Sequence, residues 1–402
     1  MSYYSFNPWE GDFFQNPYPY FAKLRENEPI HWSDAFDGWV ITTYDHVKEV
    51  ALKTNIFSSH KLKFLFNRLD ENAKQAMAPL INNMEHWAIM LDGEKHRRIR
   101  SELNKTFNAN LGVDMQKIIV EVTASLLNNL EQKEEFDLIE DFAYPLPALV
   151  IAGILGVPKE KTAWFKDLST DISKVFNLAS NPDPKCAEKC LKACVQIEIF
   201  LKESLKNKEL LDDSSLLYKL YASNLSEKEI ISTLTLMLVA GHETTTQLIA
   251  NGVYCLLKNP SQLKLFLSDY TLVKDLVEET LRFESPVQNL ARVAIEDYQL
   301  DQVLIKKGQK VVPFVNAANR DPKVFDRPDE FDISRKDNRH LAFGIGKHLC
   351  SGASLARVEG EIALEMLFKR FPNLKFKSDN GNVTWVKSVA FRQLESLWLT
   401  KV

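Results

Sequence analysis

Phe343-Gly344-Ile345-Gly346-Lys347-His348-Leu349-Cys350-Ser351-Gly352 crowds three glycines around one cysteine, and a helical pattern follows through Leu355-Ala356-Arg357. Glycine permits positive φ and close backbone approach, so this loop can wrap a thiolate and aim amide N–H groups at its sulfur. A helix beginning just after Cys350 would bring its positive end close, which favours thiolate over thiol. A lone cysteine is usually a small buried side chain. The glycine spacing sets this one apart, because one soft ligand in a tight loop suits a metal with an open coordination position.

Zinc normally takes three or four protein ligands, and no C-x-x-C or H-x-x-x-H partner lies nearby, whereas haem iron needs a single axial protein ligand. Haem iron is the better match. Upstream, Glu279-Thr280-Leu281-Arg282 sets an acid and a guanidinium three residues apart on one helix face; alone, such a pair usually means an exposed salt bridge. Ser226 to Glu229 forms a capping box that opens a long helix ending at Asn259-Pro260. Its middle, Ala240-Gly241-His242-Glu243-Thr244-Thr245-Thr246, combines a glycine with threonines that can bond back onto carbonyls, which predicts a local distortion with room for a flat ligand. Glu243 beside Thr244 could relay protons there; a polar patch or a helix contact is the plainer meaning. His242-Glu243 lacks the second histidine of a zinc protease motif. His96 and Arg100 lie at i, i+4 on one side of a basic helix and could hold an anionic group, if they are not simply a solvated face.

The rest of the chain fits a mainly helical protein. Of 402 residues, only 14 are glycine and 16 proline, too few turns for a barrel or sandwich of many short strands. Hydrophobic residues at 45% and charged residues at 26% exclude a disordered chain. Fifty basic against 54 acidic residues leave a net charge of -4, without the surplus that nucleic acid requires. Residues 73–282 read as a helical body with breaks at Pro158, Pro182-Pro184 and Pro260. Strand signals fall at Trp39–Thr43, before a helix that Asp45 could cap, and at Val303–Ile305, Val311–Val315, Leu374–Phe376 and Ser396–Leu399. The expected architecture is one discontinuous α+β domain over 1–402, helical with small β-sheets in segments 30–60, 290–340 and 374–402, the two ends sharing β-structure. Met1 to Asp12 has no signal-peptide character, and no run approaches the ~20 apolar residues of a membrane span, so a cytoplasmic protein without an anchor is expected. Five cysteines do not suggest a disulfide framework. Cys186, Cys190 and Cys194 share a helix face, as buried small side chains or, on the other reading, a metal or redox site.

In order and spacing, His96/Arg100, Ala240-Gly241-His242-Glu243-Thr244-Thr245, Glu279-x-x-Arg282 and the Phe343 to Gly352 loop resemble the signature set of the cytochrome P450 family. The resemblance covers nearly the whole chain and looks most like the soluble bacterial type. It implies a P450-like fold and haem b held through Cys350, with His96, Arg100, Arg292 and His348 binding the haem propionates. Ala240, Gly241, Phe343, Gly344 and Gly352 would contact the cofactor. Glu243 and Thr244 would be the distal acid-alcohol pair, and Glu279 and Arg282 would lock the proximal core. Two departures stand out. Asp92-Gly93-Glu94 replaces an Asp-Pro-Pro turn and should be more flexible, and Gln393 stands where relatives usually have glycine, next to the substrate-side turn.

The implied reaction is insertion of one oxygen atom from O2 into a hydrophobic small molecule, free or carrier-linked. Electrons would come from NAD(P)H through a separate ferredoxin or flavodoxin steered by Lys95, Arg97, Arg98, Arg339 and Lys347. Expected substrate contacts are the 61–90 segment, Leu236, Val239, Val287, Asn289, Ala390 and Phe391, with Phe64, Phe66, Met84, Trp87, Met90 and Phe176 suggesting an apolar pocket. The rival readings are an H2O2-dependent peroxygenase and a non-catalytic haem-binding sensor.

Overall fold

Apolar residues recurring at three and four positions give a helix one dry face. Ala109–Glu131 is such a helix, burying Ile119, Thr123, Leu126, Leu127 and Leu130. The computed structural model describes residues 6–62, 71–106, 109–179, 184–206, 215–377 and 381–401. Gly93–Thr106, Pro145–Leu155, Thr162–Ser173, Pro184–Lys206, Glu227–Lys258 and Val273–Phe283 complete the main helices of the expected body, and Ala353–Arg370 follows the cysteine loop. Pro145–Leu155 is apolar on all sides and buried on nearly all of them. It ends at Gly156, whose φ of +75° precedes Pro158 by two residues. Pro184 and Pro260 open helices, as fixed φ allows at a first turn. Pro182 lies outside the described residues.

Glu227–Lys258 crosses the helical body. Ser226 accepts from the Glu229 amide and Glu229 reaches back to the Ser226 amide at 2.9 Å, so the capping box forms as read. The distortion expected at Ala240–Thr246 does not occur. The helix stays α-helical, and the Thr244 and Thr246 hydroxyls donate to the carbonyls of Ala240 (2.7 Å) and His242 (3.0 Å), one turn back, without opening it. Gly241 instead answers a close approach: a Cβ there would meet Ile151 Cδ1 of the apolar helix at 2.9 Å. His242 is buried, with Nδ1 against Ser169 Oγ and Nε2 against the Tyr144 carbonyl, both at 2.9 Å.

The larger sheet runs Ile30–Ser33, Gly38–Ile41, Lys310–Pro313, Arg292–Ala294, Phe57–Ser58. Gly38–Ile41 lies parallel to Lys310–Pro313, Val40 opposite Val312, and the other pairs are antiparallel. Tyr298–Leu300 and Val303–Ile305 make a hairpin. Three expectations are corrected. The helix Tyr44–Leu52 takes Thr43 as its N-cap, leaving Asp45 in the first turn, where its charge suits the helix dipole. The strand Trp398–Thr400 does not join the first sixty residues but pairs with Lys375–Phe376 and Glu135–Asp137. That last strand sits within the segment read as wholly helical, because burying Phe136 and Asp137 against the C-terminal strand outweighs local pattern.

Glu279 and Arg282 are fully buried, not an exposed pair. Arg282 donates from Nε and Nη2 to the two carboxylate oxygens of Glu279, each at 2.8 Å, and to the carbonyls of Asn319, Pro328 and Glu330. Glu279 also accepts from the Asp332 amide, Arg335 and Asn338. The knot fixes Val273–Phe283 to the irregular chain leading into the Cys350 loop.

Candidate active site

The loop closes through the Cys350 amide donating to the Phe343 carbonyl at 2.9 Å and the Gly344 amide to Leu341 at 2.8 Å. Gly346 sits at φ +73°, and a Cβ there would also meet Leu52 Cδ2 at 2.9 Å, so the turn demands glycine. Cys350 is exposed only in that its side chain opens onto an internal cavity of about 460 Å³. Protein packed around the sulfur raises the thiol pKa, while the Gly352 amide, Arg100 and Arg357 pull it down. Burial wins, so the helix end and loop amides do not by themselves favour the thiolate; a bound cation would displace the proton. Phe343 lies beside the sulfur loop with the Arg357 guanidinium 4.5 Å from its ring centre, and Arg357 bonds Glu278 at 2.6 Å.

One wall of the cavity is strongly basic. His96 and Arg100 come from Gly93–Thr106, Arg292 from the sheet, and His348 from the cysteine loop; all four line the cavity. The His96 and His348 rings stand 4.2 Å apart. Burial, then His348 and Arg100, lowers the His96 pKa to about 4, and burial lowers Arg292 to about 10. Arg100 Nη2 donates to the Leu349 carbonyl at 2.7 Å, and Nη1 bonds Ser351 Oγ. His96 Nε2 and Arg292 Nε are buried without a partner. Asp92 is the nearby acid: although burial raises its pKa, bonds from His348, Ser58 and the Ser59 amide hold it at about 2. Lys61, the first residue of the 61–90 segment expected to contact substrate, also lines the cavity.

Leu236, Ala240, Gly241 and Thr244 of the long helix Glu227–Lys258 line the same cavity. Val239 does not line the cavity; one residue before Ala240, it turns into the helical core. Glu243 does not line it either. Its carboxylate accepts from Gln247 Nε2 at 3.1 Å and from Gln393, and burial, against these bonds, raises its pKa. Gln393 therefore holds the acid through its side chain. Val287, Asn289, Ala390 and Phe391 line the cavity as expected, although Asn289 spends its amide on Val389 O (2.7 Å) and the Ala291 N–H (3.2 Å). From the 61–90 segment, Ala88 and Ile89 reach the cavity, whereas Met84, Trp87 and Met90 are fully buried core. Phe64 and Phe66 lie outside the described residues. Phe176 lines the cavity edge-on to Phe391, centroids 5.8 Å apart. Ile151, Ile154 and Leu155 were missed; the all-apolar Pro145–Leu155 run was their signal. Glu359 was missed too. It lines the cavity from Ala353–Arg370 with an unpartnered oxygen, and burial raises its pKa to about 8.

Elsewhere, Cys190 and Cys194 are buried and Cys186 half-buried; Cys190 Sγ donates to the Asp171 carbonyl, and burial lifts Cys194 to about 12. These are packed thiols, and no metal cluster of His, Cys, Asp or Glu forms among the described residues. Among the described residues no helix is long and apolar enough to cross a membrane.

A sulfur-bearing glycine loop, basic side chains and a threonine on a long helix thus share one cavity, and comparison with known proteins shows the family to which the chain belongs. The cytochrome P450 family pattern matches residues 37–264 and 266–387. The chain is 36% identical to a putative cytochrome P450, YjiB, of Bacillus subtilis, over 90% of this chain and 88% of that protein. It is 33% identical to the biotin biosynthesis cytochrome P450 of the same organism, over 97% of each chain. The crystal structure of P450BioI in complex with hexadec-9Z-enoic acid ligated acyl carrier protein superposes with a TM-score of 0.89 at 32% identity, covering 98% of this chain and 100% of that one. With its fold and nearly its full length matched, this chain belongs to the cytochrome P450 family of haem-dependent monooxygenases.

Proposed function

We propose that the protein inserts one oxygen atom from O2 into a hydrophobic small molecule, free or carrier-linked, using electrons that a separate ferredoxin or flavodoxin relays from NAD(P)H. The observation that carries this reading is the shared cavity, which both Cys350 and Thr244 line. The residues fit a haem. His96 and Arg292 both line the cavity, and each keeps a buried nitrogen without a hydrogen-bond partner, for which the two carboxylates of a haem would supply acceptors nearby. Cys350 would ligate the iron, and His96, Arg100, Arg292 and His348 would hold the propionates through charge-assisted bonds. When bound, a thiolate-ligated haem supplies the electron density that favours O–O cleavage.

The protein's own work is proton handling and exclusion of water. Thr244 presents its hydroxyl oxygen to the cavity while its proton rests on the Ala240 carbonyl. Glu243, one residue away but outside the cavity, is kept protonated more readily than an ordinary carboxylic acid, and Gln247 and Gln393 fix its oxygens. A proton taken up at Glu243 can be passed to Thr244 or to water at its hydroxyl. Leu236, Ile151, Val287, Ala390, Phe176 and Phe391 make the substrate region apolar. A long-chain or carrier-borne substrate draws support from the acyl carrier protein complex of the relative named above and from the polyketide biosynthesis cytochrome P450 PksS of Bacillus subtilis, 32% identical.

Thr244→Ala tests the reading. With a reconstituted redox chain, an O2-dependent enzyme should keep consuming NAD(P)H but divert it to peroxide, with product per NAD(P)H falling by roughly 10²-fold or more, the range of a lost proton-transfer group. Unchanged coupling, or equal activity with H2O2 alone, would assign the peroxygenase reading. Loss of the thiolate-type carbon-monoxide band in Cys350→Ser would establish the ligand.

A further inference from the structure

Lys61 and Arg292 share one neutral acceptor. The Lys61 ammonium lies 3.4 Å from the Ala291 carbonyl, and Arg292 Nη1 donates to the same oxygen at 3.0 Å. Both side chains line the cavity, and Arg292, 5% exposed, leaves its Nε without a partner. Arg292 is buried and Lys61 partly so, and two cations on one carbonyl repel each other unless an anion joins them. Accordingly, burial and then Arg292 lower the Lys61 pKa to about 7. Asp92 acts on both cations through its charge and raises the pKa of each, but its hydrogen bonds go to Ser58 and the Ser59 amide, with His348 Nε2 at 3.7 Å, and it bonds neither Lys61 nor Arg292. We propose that Lys61 and Arg292 form a two-pronged carboxylate site at the edge of the cavity, in which Lys61 is a binding residue. The inference rests on the haem-thiolate reading above. Two sources present this chemistry at that place: a haem propionate, and the carboxylate end of an amphiphilic substrate.

Lys61→Met and Lys61→Arg holoenzymes separate them. Haem transfer to excess apomyoglobin reads the first source; the haem-band shift on titrating palmitic acid against methyl palmitate reads the second. If a propionate sits on Lys61, haem leaves Lys61→Met about tenfold faster or more, or the variant fails to retain haem, while fatty-acid affinity is unchanged. With a substrate carboxylate there, palmitic acid binding weakens about tenfold, methyl palmitate binding and haem retention holding steady. Either result supports the site provided Lys61→Arg stays near wild type. Absence of palmitic acid binding in the wild type removes the second source, and the transfer rate then decides alone. The proposal is overturned if neither quantity moves more than twofold in Lys61→Met, or if Lys61→Arg is as defective as Lys61→Met. A thiolate-type carbon-monoxide band in the wild type keeps the parent reading intact whatever Lys61 does, and its loss there would sink the parent reading alone.

Discussion

His242 shows how a single side chain can sit in a signature stretch without serving the chemistry. Burial outweighs its bonds to Tyr144 and Ser169 and lowers its pKa to about 4. A histidine normally titrates near 6.5, so between about pH 4 and 6.5 the unfolded chain binds the extra proton and the folded one does not. Stability from this residue is therefore complete above about pH 6.5 and is lost as pH falls toward 4, by roughly 3 kcal/mol. Urea titrations should show the stability difference between wild type and His242→Gln shrinking by about that amount from pH 7 to pH 4; a constant difference would mean the histidine takes up its proton as readily in the fold as in the unfolded chain. Cys350, Thr244, His96, Arg100, Arg292 and His348 were legible because the motifs fix residue type and spacing. Glu359 was not, and although the sequence marked Gln393 as a departure and 61–90 as a substrate segment, their contacts were not, since the partners are far away in sequence and only folding brings a buried amide to Glu243 or a lysine to the carbonyl that Arg292 also bonds.

Among the elements, the helix Val273–Phe283 carries the clearest change of meaning. Its E-x-x-R pattern is common, and only burial distinguishes a surface pair from the knot seen here. Removing one member of a buried pair leaves an uncompensated charge, so Glu279→Ala should cost about 3–5 kcal/mol, whereas replacing both with apolar residues should cost less. Chemical denaturation of the two variants decides; a loss under about 1 kcal/mol for Glu279→Ala would mean that water reaches Arg282. The central helix was read correctly in its ends and incorrectly in its middle. Capping is local and shows in four residues. Whether threonines bend a helix depends instead on what packs around it, and here Ile151 packs so close to Gly241 that a Cβ would meet it at 2.9 Å. Strands at the chain ends were visible by composition, but the partner of the last one was not, because Glu135–Asp137 has no alternation beyond three residues.

For the whole molecule, a net charge of -4 conceals a basic patch that is smaller than the sequence suggested. Arg97 pairs with Glu94, Arg98 with Glu229 and Arg339 with Asp337, while Lys95 and Lys347 are exposed and make no ion pair among the described residues. Lys347→Glu should slow reduction by an acidic ferredoxin, with the difference from wild type fading as salt rises, because steering between exposed charges is screened. Stopped-flow reduction at two ionic strengths checks this, and identical rates would move the docking face elsewhere. The larger sheet has a different consequence, for synthesis. Because Gly38–Ile41 finds its parallel neighbour only in Lys310–Pro313, a strand made early on the ribosome waits for one made near the end. At roughly 5–20 residues per second that wait is on the order of tens of seconds. During it, an unpaired edge of tryptophan, valine and isoleucine must be shielded by chaperones or by the nascent helices, so chains cut short before residue 310 should be found in inclusion bodies and not in the soluble fraction.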